Sequence, residues 1–269
     1  MRTTHLVVGA SGQVGSHLLS ELQNLGDRCL GTYHRRSRPG LIPLDLEHSD
    51  GIHALLAAEM PSVVWMPAAL PDVDLCEREP ELSHRINVGA VSTLAEASRR
   101  IGARFVFYST DYVFDGTHGP YFEEDAAHPL QVYGRHKLEA ETWLLEHLKE
   151  VLIIRTAWVY SQEANPRNFI YRIEQQLQSG NMLKAATDQV STPTEAQDLA
   201  KRSIQAVREG MTQILHVVGP NRLSRYDWTV ALAQQFGYSS EVVQPVLTES
   251  IGLLAARPLN GGLATRYSR

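Results

Sequence analysis

A chain in which short β-branched or apolar runs alternate with longer amphipathic stretches has few ways to bury both. The usual solution is a parallel sheet covered by crossover helices. Here the runs are Leu6-Val8, Cys29-Tyr33, Val63-Met66, Phe105-Ser109 and Val151-Arg155. Between them the spacing predicts helices over Val14-Leu25, over Pro80-Ile101 with Pro in the first turn, and from about Val132 to Leu148. The rhythm breaks after Arg155. Asn165-Pro166 and Thr192-Pro193 punctuate that segment, and helices near Glu195-Arg208 and Ser224-Phe236 flank one late strand, Ile214-Val218. The expected architecture is α/β: a doubly wound parallel sheet over residues 1–158, with interleaved later segments at about 186–220, and a smaller, mainly C-terminal lobe over 159–269. At 269 residues and 43% hydrophobic content, the chain can bury one sizeable core with such a lobe appended.

The strand His5-Leu6-Val7-Val8 runs directly into Gly9-Ala10-Ser11-Gly12-Gln13-Val14-Gly15, which opens a helix. In that context the first Gly turns tightly, the second lets backbone approach phosphate, and the third lets helix and strand pack closely. This is the dinucleotide-binding pattern of a Rossmann fold, with Gly9, Ser11, Gly12, Gln13, Val14 and Gly15 around the pyrophosphate. An NAD-preferring site would place Asp or Glu at the end of the second strand. This chain has Thr32-Tyr33-His34-Arg35-Arg36 there. Guanidinium groups suit a 2′-phosphate, so NADP(H) is the expected cofactor, carried by Arg35 or Arg36, with NAD(H) still admissible. The competing reading of those arginines is a solvated basic loop.

Tyr133-Gly134-Arg135-His136-Lys137 puts Tyr and Lys four apart on one helix face. A nearby ammonium favours the phenolate, which would let Tyr133 exchange a proton near neutrality. The segment Ser109-Thr110-Asp111-Tyr112-Val113-Phe114-Asp115-Gly116 follows a strand whose carboxyl end faces the ligand crevice of a doubly wound sheet. Thr110 can there hydrogen-bond a substrate carbonyl. Together these elements point to carbonyl reduction, with Tyr133 as proton donor, Lys137 tuning it and holding ribose, and Thr110 orienting the oxygen.

Composition excludes several alternatives. The net charge of −5 is spread along the chain and the Lys and Arg residues form no long basic stripe, so nucleic acid is not an expected partner. No apolar run reaches the length of a bilayer span, and Met1-Arg2-Thr3-Thr4-His5 enters a strand without a signal-peptide core, so the cytoplasm rather than a membrane is expected. Cys29 and Cys76 have no Cys-x-x-Cys partner, and the eleven His show no ligand spacing, so no metal is expected.

On these motifs the chain resembles the extended short-chain dehydrogenase/reductases, and among them the dTDP-4-dehydrorhamnose reductases. The resemblance rests on Ser109–Gly116, Pro120-Tyr121 and Tyr133–Glu139. It extends to Asp72-Val73-Asp74, Cys76-Glu77, Glu79–Leu82, Ile86-Asn87-Val88, Arg155–Tyr160, Asp188-Gln189, Pro193-Thr194 and Arg257–Asn260. It implies a substrate-binding C-terminal lobe and NADPH-dependent reduction of a 4-keto nucleotide sugar, with Thr110, Tyr133 and Lys137 as the catalytic trio. Asp45-Leu46 would approach the adenine, or Asp45 is a turn residue. Ala68-Ala69 would let the cofactor backbone lie close. Thr110, Asp111, Val113 and Trp158 would meet the sugar, although Trp158 also reads as a core residue. Asn87 reads equally as a water-relay residue or as a buried polar cap.

Where the family carries Asn-Ala-Ala-Ala-Tyr-Thr, this chain has Met66-Pro67-Ala68-Ala69-Leu70-Pro71, an exchange of hydroxyls that would change the carbonyl accepted. Two alternatives follow: reduction of a different carbonyl, or an NADP-binding regulatory role like that of the regulatory subunit of methionine adenosyltransferase. A homodimer is compatible with either.

Overall fold

The computed structural model describes residues 3–163 and 168–267, so Met1, Arg2 and the Asn165-Pro166 punctuation lie outside the described residues. Seven strands form one parallel sheet in the order Gln213–His216, Val151–Thr156, Arg104–Thr110, Val63–Met66, Thr4–Val7, Arg28–Tyr33, Ile42–Pro43. Strand order reverses between Thr4–Val7 and Val63–Met66, which places the ligand crevice of a doubly wound sheet at the carboxyl ends of those two strands.

Alternation along each strand sorts side chains between two layers. Leu6, Val64, Phe105, Phe107 and Ile153 pack under the helices Ser49–Glu59, Ala90–Arg100 and Val132–His147. Val7, Trp65, Val106, Tyr108 and Ile154 pack under Gln13–Asn24 and Ala196–Arg208. Each fully buried large apolar side chain contributes about 1.5–3 kcal/mol. That continuous burial is why the strands read as unbroken apolar runs rather than as an alternation.

The late helix Ala196–Arg208 and strand Gln213–His216 return to the sheet. A separate apolar cluster lies apart from the two sheet layers: Ile170, Ile173 and Leu177 of the helix Phe169–Gln178 meet Trp228 and Leu232 of the helix Arg225–Gln235. Leu183–Ala186 pairs in parallel with Val243–Val246 beside them. The C-terminal segment crosses back over the sheet end. Asp74 accepts from the Ala255 amide (3.0 Å) and from Arg257 Nη2 (2.9 Å), and Leu263 bridges to Tyr121.

Two of the differences from expectation have a local cause. The first strand spans Thr4–Val7, because Val8 leaves the ladder to enter the glycine turn. The stretch expected as one helix over Pro80-Ile101 is instead Pro80–His84 and Ala90–Arg100 joined by a π-helical turn, Arg85–Gly89, that carries Asn87. Among the described residues, no helix is long and apolar enough to cross a membrane, and no cluster of three His, Cys, Asp or Glu side chains is placed to hold a metal.

Candidate active site

The turn after Thr4–Val7 is built to bring backbone close. Gly9 has φ +85°, and a Cβ there would stand 2.8 Å from the Ala68 Cβ. At Gly15 a Cβ would stand 2.3 Å from the Gly9 carbonyl oxygen, so any larger residue would push the helix Gln13–Asn24 off the turn. The Gly9 amide donates to Thr32 Oγ1 (3.0 Å), which locks the turn against the second strand. Gly12 is the N-cap and supplies no side-chain cap, and the first helical turn holds no acid. The positive end of the helix therefore faces the crevice with no internal anion. Ser11 lies at the tip of the turn. Gln13 Nε2 donates to Ser161 Oγ (3.0 Å) across to the second lobe, and Val14 packs into the sheet layer under this helix. The bare cradle and the adjoining Ala68-Ala69 fit the pyrophosphate of a dinucleotide.

Arg35 and Arg36 are exposed in the loop after Arg28–Tyr33. Asp45 sits beside this loop, because the Leu44 amide donates to the Tyr33 carbonyl (2.8 Å). Its carboxylate accepts from the Glu47 amide (3.0 Å) and pairs with His48 (3.1 Å) and His34 (3.8 Å). The Glu47 amide, ahead of the two imidazoles, holds the Asp45 carboxyl below its ordinary range. Asp45 is thus a turn residue whose carboxylate faces His34 and His48, and Leu46 packs against the core. No acid follows Tyr33.

Thr110 ends the strand Arg104–Thr110 and caps the short 3₁₀ turn Asp111–Val113, its Oγ1 accepting from the Tyr112 amide (3.2 Å). Tyr133 and Lys137 project from the first turns of Val132–His147, a helix capped by Gln131 Oε1, which accepts from the Gly134 amide (2.6 Å). Burial pushes the Tyr133 phenol up, Cys76, Asp111 and Tyr112 add to this, and a hydrogen bond with Thr110 opposes it. Lys137 is 1% exposed, donates from Nζ to the Tyr108 carbonyl (2.6 Å) and stands 3.8 Å from the Phe107 ring centroid. Burial pushes it down to about 7, with Glu141 opposing. The fold brings Thr110 within hydrogen-bond reach of Tyr133 and sets Lys137 one helical turn from it. Lys137 spends a donor on backbone, and the groups acting on the phenol are Cys76, Asp111, Tyr112 and Thr110.

Beside Tyr133, Asn87 is 1% exposed and fully engaged. Its Oδ1 accepts from the Leu70 amide (2.9 Å), and its Nδ2 donates to the Leu70 carbonyl (3.2 Å) and to Ser83 Oγ (3.2 Å). Ser83 in turn meets His136 Nδ1 at 2.8 Å. Of the two readings of Asn87, these bonds match the buried polar cap. The π-helical turn aims the amide at the Leu70-Pro71 loop and holds that loop over the crevice.

Asp111 is 4% exposed and accepts from Ser191 Oγ (2.8 Å); burial pushes its carboxyl up to about 6, against that hydrogen bond. Val113 does not line the crevice, because its side chain is fully buried with Phe114, Tyr121 and Leu263. Trp158 has φ +40°, an unfavourable left-handed conformation for a bulky residue, costing about 1–3 kcal/mol. Its ring is covered by a residue that sequence reasoning missed: the Arg225 guanidinium carbon lies 3.4 Å from the Trp158 ring centroid and 4.5 Å from that of Phe169. Arg225 is the first residue of the helix Arg225–Gln235, where the helix dipole disfavours a cation by about 0.3–1 kcal/mol. A cation at that position was the available sequence signal. Its aromatic surroundings come from three separate segments and left no local trace.

Comparisons with known proteins agree with this geometry. The family model described as RmlD substrate binding domain matches residues 3–269. The methionine adenosyltransferase 2 subunit beta of Rattus norvegicus is 31% identical over 266 residues, covering 96% of this chain and 79% of that one. The dTDP-4-dehydrorhamnose reductase of Escherichia coli K12 is 32% identical over 236 residues, covering 86% and 77%. The solved structure of the dTDP-4-dehydrorhamnose reductase of Bacillus anthracis in complex with NADP superposes with a TM-score of 0.89 at 26% identity, covering 100% of this chain and 92% of that one.

Proposed function

The chain belongs to the RmlD substrate binding domain family, and from that premise we propose that it is an NADPH-dependent reductase of the C4 ketone of a nucleotide-linked 4-keto-6-deoxysugar. The observation that carries this reading is the meeting of Thr110, Tyr133 and the buried Lys137 at the same sheet end as the bare glycine turn. Relatives at 32% identity are named for reduction of dTDP-4-dehydrorhamnose, and one solved neighbour holds NADP.

Gly9, Ser11, Gly12, Gln13, Val14 and Gly15 would cradle the pyrophosphate, Arg35 and Arg36 a 2′-phosphate, Asp45 and Leu46 the adenine side, and Ala68 and Ala69 the cofactor backbone. Bound there, a nicotinamide supplies hydride to the carbonyl carbon. Tyr133 gives the proton. Burial keeps its phenol protonated at neutral pH, so it serves as an acid when a developing alkoxide draws the proton away. Thr110 holds the same oxygen and hydrogen-bonds Tyr133. Lys137 commits one of its three donors to Tyr108, which leaves two for ribose hydroxyls. Asp111 and the Trp158 edge would meet the sugar.

The test is to follow NADPH oxidation against a panel of nucleotide 4-ketosugars, with Tyr133→Phe as control. Loss of the phenolic proton should reduce turnover by about two or more orders of magnitude and leave NADPH binding intact. Normal turnover by the variant would refute the assignment of Tyr133. One observation favours a second reading: the alignment with a protein named as a subunit of methionine adenosyltransferase spans 96% of this chain. Capture of a stoichiometric synthetase partner, with no ketosugar turnover, would select a regulatory role.

A further inference from the structure

We infer that Arg225 receives the diphosphate of the nucleotide-linked substrate, a role that rests on the reductase reading above and identifies the residue by which this chain anchors that substrate class. The side chain is held in advance: its guanidinium lies 3.4 Å from the Trp158 ring centroid, 4.5 Å from that of Phe169 and 5.3 Å from that of Trp228. Its plane is fixed, so little rotamer freedom is left to lose when an anion arrives.

The donors are uncommitted. Among the described residues, the guanidinium makes no hydrogen bond and no ion pair, and an arginine carries five N–H donors. The acid it faces, Asp111, is taken by Ser191 (2.8 Å) and Thr110 (3.4 Å). A partly buried cation at the first position of a helix, facing only an acid that other donors already engage, is unfavourable both by desolvation and by the dipole. The arrangement is understandable when the anion is the ligand.

The local field selects the kind of anion. Arg172 lies within electrostatic reach of Arg225, and Arg257 acts on the same Tyr112 that Arg225 faces. Arg257 is already paired with Asp74 (2.9 Å), so Arg225 and Arg172 are the cations that bear on the anion; two cations suit a group with two negative charges rather than a single carboxylate, and the planar fork of Arg225 matches two phosphate oxygens. Its position agrees. Arg225 faces Asp111, the residue after Thr110, so a diphosphate held there leaves the sugar between it and Thr110–Tyr133.

The experiment compares binding of dTDP, UDP, thymidine and inorganic pyrophosphate to NADP-loaded wild type, Arg225→Met and Arg225→Lys by calorimetry. Met keeps an apolar stem against Trp158 and Phe169, and NADPH affinity with thermal melting reports that the lobe is intact. Wild type should bind at least one of the two nucleoside diphosphates, and Arg225→Met should bind it at least about tenfold more weakly, with thymidine and NADPH unaffected. Arg225→Lys, a charge without the fork, should lose about three- to tenfold and serves as the reading if the Met variant does not fold. Wild-type affinity for the nucleoside diphosphate in the folded variants overturns the inference. If wild type reduces a nucleotide ketosugar in that case, the proposed function stands without Arg225. If wild type binds neither nucleoside diphosphate and reduces no nucleotide ketosugar, both fail.

Discussion

Replacing Lys137 by Met should stabilise the fold at neutral pH while abolishing activity. The ammonium is enclosed at 1% exposure, and burial lowers its pKa from 10.5 to about 7. Between those values the unfolded chain binds a proton that the folded chain lacks, so wild-type stability rises with pH through that window. The burden of charging Lys137 is therefore full below about pH 7 and gone above pH 10.5. At 1.36 kcal/mol per pH unit, that fall is worth about 5 kcal/mol. Met forfeits the hydrogen bond to the Tyr108 carbonyl, about 1–2 kcal/mol. The variant should thus be more stable by about 3 kcal/mol near pH 6 and no more stable, or slightly less, near pH 10.5. Urea unfolding of both cofactor-free proteins across this range measures the gap, and titrating groups that do not interact with Lys137 cancel in the difference. A gap that does not move with pH, or a variant less stable at pH 6, would refute the account of Lys137 as a buried, strained cation.

Three further outcomes follow from the same geometry. The double substitution Arg35→Ala with Arg36→Ala should weaken NADPH binding about tenfold or more and leave NADH binding within about twofold; equal losses measured by fluorescence titration would remove the 2′-phosphate assignment. Glu141→Gln should cost about 3–5 kcal/mol in denaturant unfolding, because it strips the bidentate partner (2.6 and 3.1 Å) from the buried Arg155 guanidinium. Asp111 titrates at about 6 against 3.8 for the free side chain, so the folded chain holds an extra proton between those values and wild-type stability falls as pH rises through them. Asp111→Asn should flatten that slope, and an unchanged slope in unfolding at about pH 4 and about pH 6.5 would show that the carboxyl is not shifted.

What could be read from the sequence was what the chain expresses locally. Runs such as Val63-Met66 and Val151-Arg155 are apolar on both sides because both sheet faces are covered, and they fall on strands almost to the residue. The glycine turn and the Tyr133–Lys137 spacing are local too, and the fold brings both to the sheet end where Thr110 stands. The features that could not be read are those made by distant segments. Leu183–Ala186 pairs with Val243–Val246 across some sixty residues, and Pro245 lies within the second of these strands. The helix Ser49–Glu59 buries only Ile52 and Leu56 as its core contacts, too thin a stripe to separate it from a polar loop. The π-helical turn at Asn87 leaves the apolar periodicity of its surroundings intact, so the sequence reads as one continuous helix.

Burial alone does not separate a site from a structural ion network, since both hold charges away from water. The separation lies in compensation. Glu141 and Arg155 answer each other with bidentate hydrogen bonds, so each charge has its counter-charge within the protein. Lys137, Asp111 and Arg225 do not: each is moved by burial toward its neutral form, Lys137 to about 7, Asp111 to about 6 and Arg225 to about 10, because the partners around it recover only part of the lost hydration. All three border the crevice at the carboxyl end of Arg104–Thr110, where the uncapped helix Gln13–Asn24 also points its positive end. Groups of both signs left incomplete around one space are complementary to a ligand that carries hydroxyls, a carbonyl and phosphates, and are poorly arranged for anything simpler. The incompleteness, more than any single motif, marks this end of the sheet as the place where chemistry is done.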